Sequence, residues 1–190
     1  MYRGVILPIE VDRRVVTGLL PAMRTLLGFT GYTTVDFERG RFGTFTEFRD
    51  RAAAEVVCSA TPGAIRAMVA DLIPAPPDAS IATVLYSSRL EGHAGYLVHR
   101  AYSGCRDVGE LARRVNGNPP PIIAATPGLR GFTLMDMGDG KVVSLNLFDV
   151  MGNAETAHDH VGALVAPHAA DLLPLRPEVM VGRVLSEIRS

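Results

Sequence analysis

The chain has 190 residues, 47% hydrophobic and 21% charged, a globular composition with enough apolar material for a full core. Its 19 basic and 20 acidic residues leave a formal net charge of −1 and are spread along the whole length, so no block of charge exists to meet nucleic acid or an anionic membrane. A small neutral or weakly charged organic molecule is the expected partner.

The first residues, MYRGVILPIEVDRR, hold an apolar run too short for a signal peptide or a membrane span, and 3–10 read as a strand. Asp12 then caps a helix whose Val15, Val16, Leu19, Leu20, Met23, Leu26 and Leu27 follow a helical period, with Pro21 kinking it. Two strand-like runs follow, joined by a tight turn at Gly40. An alanine-rich helix comes next; Thr61-Pro62-Gly63 reads as a break in it, and Asp71-Leu72-Ile73-Pro74 ends it, since proline cannot continue a helix. A last strand leads to a linker over 88–94, SRLEGHA.

The pattern then recurs. Gly95 to Tyr102 is strand-like, and Asp107 with Glu110 three residues on is a capping box opening a helix with Val108, Leu111, Ala112 and Val115 on one face. NGNPPP from Asn116 reads as an insertion lengthening this copy. Asp139-Gly140 marks a two-residue hairpin between the next two strands. Gly162 and Pro167 interrupt the following helix, and Asp171-Leu172-Leu173-Pro174 stops it.

These two passages are copies. From Gly28 to Ser87 against Gly128 to Glu187 the sequence runs without a gap at an offset of 100, with 15 of 60 positions identical, among them Gly31, Asp36, Gly40, Phe48, Asp71, Leu72 and Pro74. The reading is therefore α+β: tandem ferredoxin-like βαββαβ repeats, 1–87 and 95–190, each an antiparallel sheet with both helices on one face. Four short strands leave a bare face of roughly 300 Å² per copy, a patch that monomers seldom expose, which predicts face-to-face closure into a pseudo-dimeric α/β barrel. A monomeric pseudo-dimer or a weak homodimer is expected.

Residues PGLRGF from Pro127, LNLFD from Leu145, NAETAHDH from Asn153, DLLP from Asp171 and VMVGRVL from Val179 resemble the dimeric α/β-barrel superfamily, in particular its antibiotic-biosynthesis-monooxygenase-like domain, present here twice. The first copy matches more loosely, Glu47 and the Thr61-Pro62-Gly63 break being departures. The resemblance implies a small-molecule-binding barrel and a cofactor-independent monooxygenase-like activity. A non-catalytic ligand-binding or stress-associated protein with a vestigial interior is the alternative, and a haem-binding or haem-degrading relative a weaker one. For that last reading His168 lies near the place of the haem-ligating histidine. The branch also uses a tryptophan, however, and the chain has none, Ala157 lying near its place.

No catalytic set emerges from the residues. Strand alternation separates Val143, Leu145 and Leu147 from Val142, Ser144, Asn146 and Phe148. The first set is assigned to the helix-covered core. The second, with its counterparts Phe42, Thr44, Thr46 and Phe48, is assigned to the uncovered face, either as a mixed polar and aromatic interface between the sheets or as a ligand pocket. His99 joins it if its strand parity is right. The candidate ligand-binding residues are thus Thr44, Thr46, Phe48, His99, Ser144, Asn146 and Phe148. Asp36 and Asp136 fall at hairpin ends, and Asp71 and Asp171 at helix stops. Among the five histidines, which include His93, His158 and His160 lie two apart on a helix and point to different faces, and no HExxH or His-x3-His pair exists to chelate a metal, so neither a metal nor a cofactor is expected. Cys58 and Cys105 form neither a CxxC pair nor a disulfide framework, and Cys58 reads as a buried, inert thiol; the expected setting is a reducing cytoplasm.

Overall fold

The computed structural model describes residues 1–117, 126–157, 169–173 and 176–189, with backbone only at 60–62 and 65. By contacts it divides into two compact units, Met1–Ile81 with Gly182–Ser190, and Ala82–Val181.

Unit 1 contains helices α1 (Pro8–Gly18) and α2 (Leu20–Arg24), strands β1 (Phe29–Asp36) and β2 (Phe42–Phe48), and helix α3 (Arg51–Val69). Its sheet is completed by the C-terminal part of β7 (Glu178–Arg189), in the antiparallel order β2-β1-β7. The strand expected over 3–10 is not there. Proline at the N-terminal end of α1 suits a helix start, where its missing N–H costs nothing, and only Tyr2 keeps a sheet contact, a bridge to Phe42. Asp12 is accordingly no cap but a buried residue inside α1. Pro21 does divide the helical region, at the α1–α2 junction. The expected break at Thr61-Pro62-Gly63 is absent: α3 runs through it, capped by Asp50, whose carboxylate accepts the Ala53 N–H at 2.9 Å. Cys58 is half-buried on α3 rather than buried, and both cysteines are free.

Unit 2 contains β3 (Thr83–Arg89), β4 (Tyr96–Ser103), α4 (Val108–Gly117), β5 (Leu129–Gly138), β6 (Lys141–Phe148) and α5, described over 151–157. Asp107 caps this helix as read, its Oδ1 accepting the Glu110 N–H at 2.8 Å, while the Glu110 carboxylate is taken up by Arg113 and Arg114. With the first residues of β7 the strand order is β7-β4-β6-β5, the order of a ferredoxin-like βαββαβ copy, and β3 extends the other edge. β3 is the last strand of the first sequence copy, yet it pairs with β5 of the second. From Gly182 onward β7, the last strand of the second copy, pairs with β1 of the first. The compact units therefore cut across the repeats 1–87 and 95–190: the first copy gives its final strand to the second, and the second keeps the start of its own beside β4 and lends the rest to the first.

The 100-residue register reaches down to individual side chains and further toward the N-terminus than sequence identity over 28–87 suggests. Arg14 clamps Asp71 at 2.7 and 3.1 Å and also binds Glu10; Arg114 clamps Asp171 at 2.8 and 2.9 Å and also binds Glu110. Arg13 and Arg113 add a second guanidinium to each glutamate. Asp36 and Asp136 each accept the N–H two residues on, at 2.9 and 2.8 Å, which fixes them as hairpin-end residues. Tyr2 faces Phe42 as Tyr102 faces Val142. α1 and α4 thus lie in one register; of the expected insertion NGNPPP, Asn116 and Gly117 belong to α4 and the rest lies outside the described residues.

Two glycine positions are dictated by geometry. Asp139 and Gly140 both have positive φ, 51° and 68°, as a two-residue hairpin turn requires. Gly128, at φ 70°, sits where a Cβ would lie 2.1 Å from the Asn153 amide nitrogen and 2.2 Å from an Asp149 oxygen.

The sheet faces are the reverse of the expected assignment. In unit 2, Val142 packs with Leu111 and Val115 of α4, and Phe148 packs with Ala154 and Ala157 of α5. Ser144 and Asn146 alternate with these two on β6, so all four lie under the helices. In unit 1, Phe42 and Phe48 pack in the cluster with Val11 and Val15 of α1 and Val57 and Val69 of α3, which places Thr44 and Thr46 on the helix side too. Val143, Leu145 and Leu147 occupy the opposite face and are buried as well. Both alternating sets are apolar enough to be buried, so the period of two separates them without saying which one the helices cover.

Candidate functional site

The helix-covered face of unit 2 has an apolar floor in two pieces. One cluster gathers Tyr102, Leu111, Val115, Phe132, Leu134 and Val142; the other gathers Val98, Leu129, Phe148, Ala154 and Ala157. Between them the floor is polar. Cross-strand pairing sets Arg100 of β4 opposite Ser144 of β6, and Val98 opposite Asn146, with Leu134 and Phe132 of β5 on the far side. Arg100, Ser144 and Asn146 are all buried, Arg100 to 1% exposure.

Arg100 is the unusual member. A guanidinium presents five N–H donors. Here Nη2 donates to the Ala157 carbonyl at 3.4 Å, at the end of the described part of α5, and Nη1 has no partner among the described residues. No carboxylate pairs with it among the described residues. Burial pushes its pKa down from the ordinary arginine value, opposed by the neighbouring Tyr102 hydroxyl, whose own pKa burial pushes up. Asn146 is satisfied only loosely, its amide donating to the Val98 carbonyl at 3.4 Å and to Ser144 Oγ at 3.2 Å. The result is a buried, donor-rich patch with a positive charge and an N–H that has no partner among the described residues, suited to an oxygen anion or a carbonyl oxygen of a ligand whose remaining surface is apolar.

The residues expected to share one interior are divided. Ser144, Asn146 and Phe148 lie on this face of unit 2, with Phe148 in the apolar cluster beside the patch. Thr44, Thr46 and Phe48 lie on the helix side of unit 1; Thr44 hydrogen-bonds the Tyr2 hydroxyl, and Phe48 meets Phe29 edge-on at 6.0 Å. His99 has the wrong parity. It pairs with Leu145 and points to the opposite face from Ser144 and Asn146, and burial pushes its pKa below the usual imidazole value. His158, His160 and His168 fall outside the described residues, so the haem alternative has no structural counterpart to weigh. Among the described residues, no three side chains of metal-ligating type come together. None of the helices there is long and apolar enough to cross a membrane.

Sequence reading missed Arg100 because it is one of many scattered arginines. The available signal was its alternation with Tyr96, Val98 and Tyr102 on one face of a strand, which puts a charge where a core side chain belongs.

No protein-family profile and no curated protein sequence matches the chain. Solved structures do. Two proteins each described as a "putative monooxygenase", from Lactobacillus acidophilus and from Fusobacterium nucleatum, superpose with a TM-score of 0.66 each. Their identities are 9% and 10%, with 95% and 96% of this chain covered and 87% and 86% of theirs. The chain has the ferredoxin-type fold of the antibiotic-biosynthesis-monooxygenase-like proteins. An anthrone oxidase-like protein matches over 99% of this chain and 90% of its own, at a TM-score of 0.61 and 12% identity.

Proposed function

We propose that the protein binds a small, largely apolar organic molecule under the helices of unit 2 and oxidises it with molecular oxygen, without a cofactor. The observation that carries this reading is the buried Arg100, whose Nη1 donor lacks a partner among the described residues. An unpaired cation in a dry site stabilises an anion there, and so favours the enolate or phenolate form of a bound ring ketone or phenol. The likeness to an anthrone oxidase-like fold suggests the substrate class: a fused aromatic ketone with an activated methylene.

The chemistry balances without a metal or flavin. The substrate methylene loses its proton in bulk water, before the rings are enclosed, and the resulting enolate is the form held at Arg100. The enolate carbon reduces dioxygen and forms a C–O bond, giving a peroxide that takes up a proton. Loss of water from that hydroperoxide leaves a carbonyl, so that one methylene and one dioxygen give one ketone carbonyl and one water. Arg100 stabilises the oxyanion, Ser144 and Asn146 orient the oxygen-bearing edge, and the clusters around Phe132 and Phe148 hold the rings and exclude water.

A non-catalytic binder is the second reading. It is favoured by one specific observation: the described residues on this face include no carboxylate or imidazole to act as general base. The test uses anthrone, air-saturated buffer, an oxygen electrode and product absorbance. Oxygen uptake above the uncatalysed rate, falling about 10²- to 10³-fold in Arg100→Met, is the expected result. Equal turnover by the parent and Arg100→Met would overturn the assignment of the site. Saturable, Arg100-dependent binding without oxygen uptake would select the second reading.

A further inference from the structure

We propose that unit 1 carries a second ligand site of opposite polarity, under α1, in which Asp12 and Tyr32 recognise the hydroxyl of a neutral phenol or alcohol. Asp12, on α1, is a buried carboxylate with no cation paired to it among the described residues. Thr34 Oγ1 donates to its Oδ1, Ser186 Oγ donates to its Oδ2 at 2.8 Å, and the Ser186 N–H donates to Thr34 Oγ1 at 3.1 Å. Two residues from Thr34 on the same face of β1, Tyr32 is 3% exposed, and its hydroxyl has no partner among the described residues. Side chains two apart on one face of a strand are neighbours, about 7 Å apart, so Tyr32 stands next to the Thr34 that binds Asp12.

The second copy shows that the fold does not need this polar cluster. At the offset of 100, Asp12, Tyr32, Thr34 and Ser186 correspond to Ala112, Phe132, Leu134 and Tyr86. There the same helix sits on the same sheet, held by the same Glu110–Arg114–Asp171 clamp, and Phe132, Leu134 and Tyr86 close the junction with apolar contacts. An apolar junction thus builds well, and burying in its place a carboxylate and a phenol hydroxyl that has no partner among the described residues is costly unless they meet a ligand.

The donor and acceptor inventory defines that ligand's chemistry. A carboxylate offers about four lone-pair sites, of which the two hydroxyls take two, so Asp12 accepts from a ligand donor. Tyr32 has a hydrogen to give. A group that donates to Asp12 and accepts from Tyr32 is a neutral hydroxyl; a carboxylate is repelled by Asp12. Unit 2, with Arg100 on its floor, has the reverse preference. The two units thus bury charges of opposite sign, the Asp12 carboxylate on α1 in unit 1 and the Arg100 guanidinium at the Ala157 carbonyl of α5 in unit 2.

The test is an amide ¹H–¹⁵N titration of the full chain with phenol and, separately, with benzoate. Phenol should shift the Thr34 and Ser186 amides saturably, and benzoate those of Ser144 and Asn146. Asp12→Asn and Tyr32→Phe should each weaken phenol binding about tenfold and leave benzoate binding unchanged. Tyr32→Phe keeps the ring in the core, so the test survives if Asp12→Asn fails to fold. The proposal is overturned if phenol shifts only unit 2 amides, if its affinity is unchanged in Tyr32→Phe, or if phenol displaces nothing because the cluster holds a bound water only. Loss of benzoate binding alone would count against the Arg100 site and leave this one standing.

Discussion

Replacing Arg100 with methionine should make the protein more stable while removing its affinity for anions. The side chain is 1% exposed, and its one described hydrogen bond is long, 3.4 Å to the Ala157 carbonyl. Losing that bond costs about 1.5 kcal/mol, the low end for a charged donor because it is long. Against it stands the desolvation of a guanidinium with no counter-ion among the described residues, a penalty of several kcal/mol, the same burial that lowers its pKa. Methionine keeps the unbranched stem in the same space, so packing changes little. The net expectation is a gain of about 1–3 kcal/mol. For a chain of this size that is a rise in Tm of about 2–4 °C per kcal/mol. The assay is thermal melting by circular dichroism, each protein with and without benzoate. At about 100 times Kd the parent should gain about 2.7 kcal/mol from ligand and the variant none. A fall in Tm for Arg100→Met would refute the reasoning, because it would mean that the guanidinium is structurally paired and that its charge is not held in reserve for a ligand.

Two further outcomes follow from the same geometry. Asn146→Leu removes hydrogen bonds of 3.4 and 3.2 Å from a buried position, so its urea midpoint should change by no more than about 1 kcal/mol equivalent while benzoate affinity falls; a large loss of stability with unchanged affinity would assign Asn146 to packing. Glu10, held by Arg13 and then Arg14, has its pKa lowered from 4.5 to about 2, so its contribution is complete above the unfolded value and disappears as pH falls toward 2. Urea midpoints over that window should therefore fall less steeply in the Arg13→Gln, Arg14→Gln double variant than in the parent, and parallel slopes would contradict the role given to the cluster.

Local sequence carried the duplication and the boundaries that short-range chemistry sets. Gly40 and Gly140 close hairpins, Asp107 caps α4, and Asp36 and Asp136 end strands, each explained by residues within a few positions, whereas Asp71 and Asp171 at the helix stops are held by Arg14 and Arg114, 57 residues away. Local preference also misled where a neighbour outweighed it: residues 3–10 have strand-like composition, but Pro8 begins a helix there. Three things were decided only by tertiary structure. The placing of the last strands depends on which edges β3 and β7 find, and backbone hydrogen bonding carries no side-chain label that names the partner. The covered face of each sheet could not be told from alternation, because Val142 and Phe148 on one side and Leu145 and Leu147 on the other are all buried. Arg100 differs from the other arginines only in its surroundings: the cost of burying a charge is a property of the place it is buried, and that place is assembled from β4, β6 and α5.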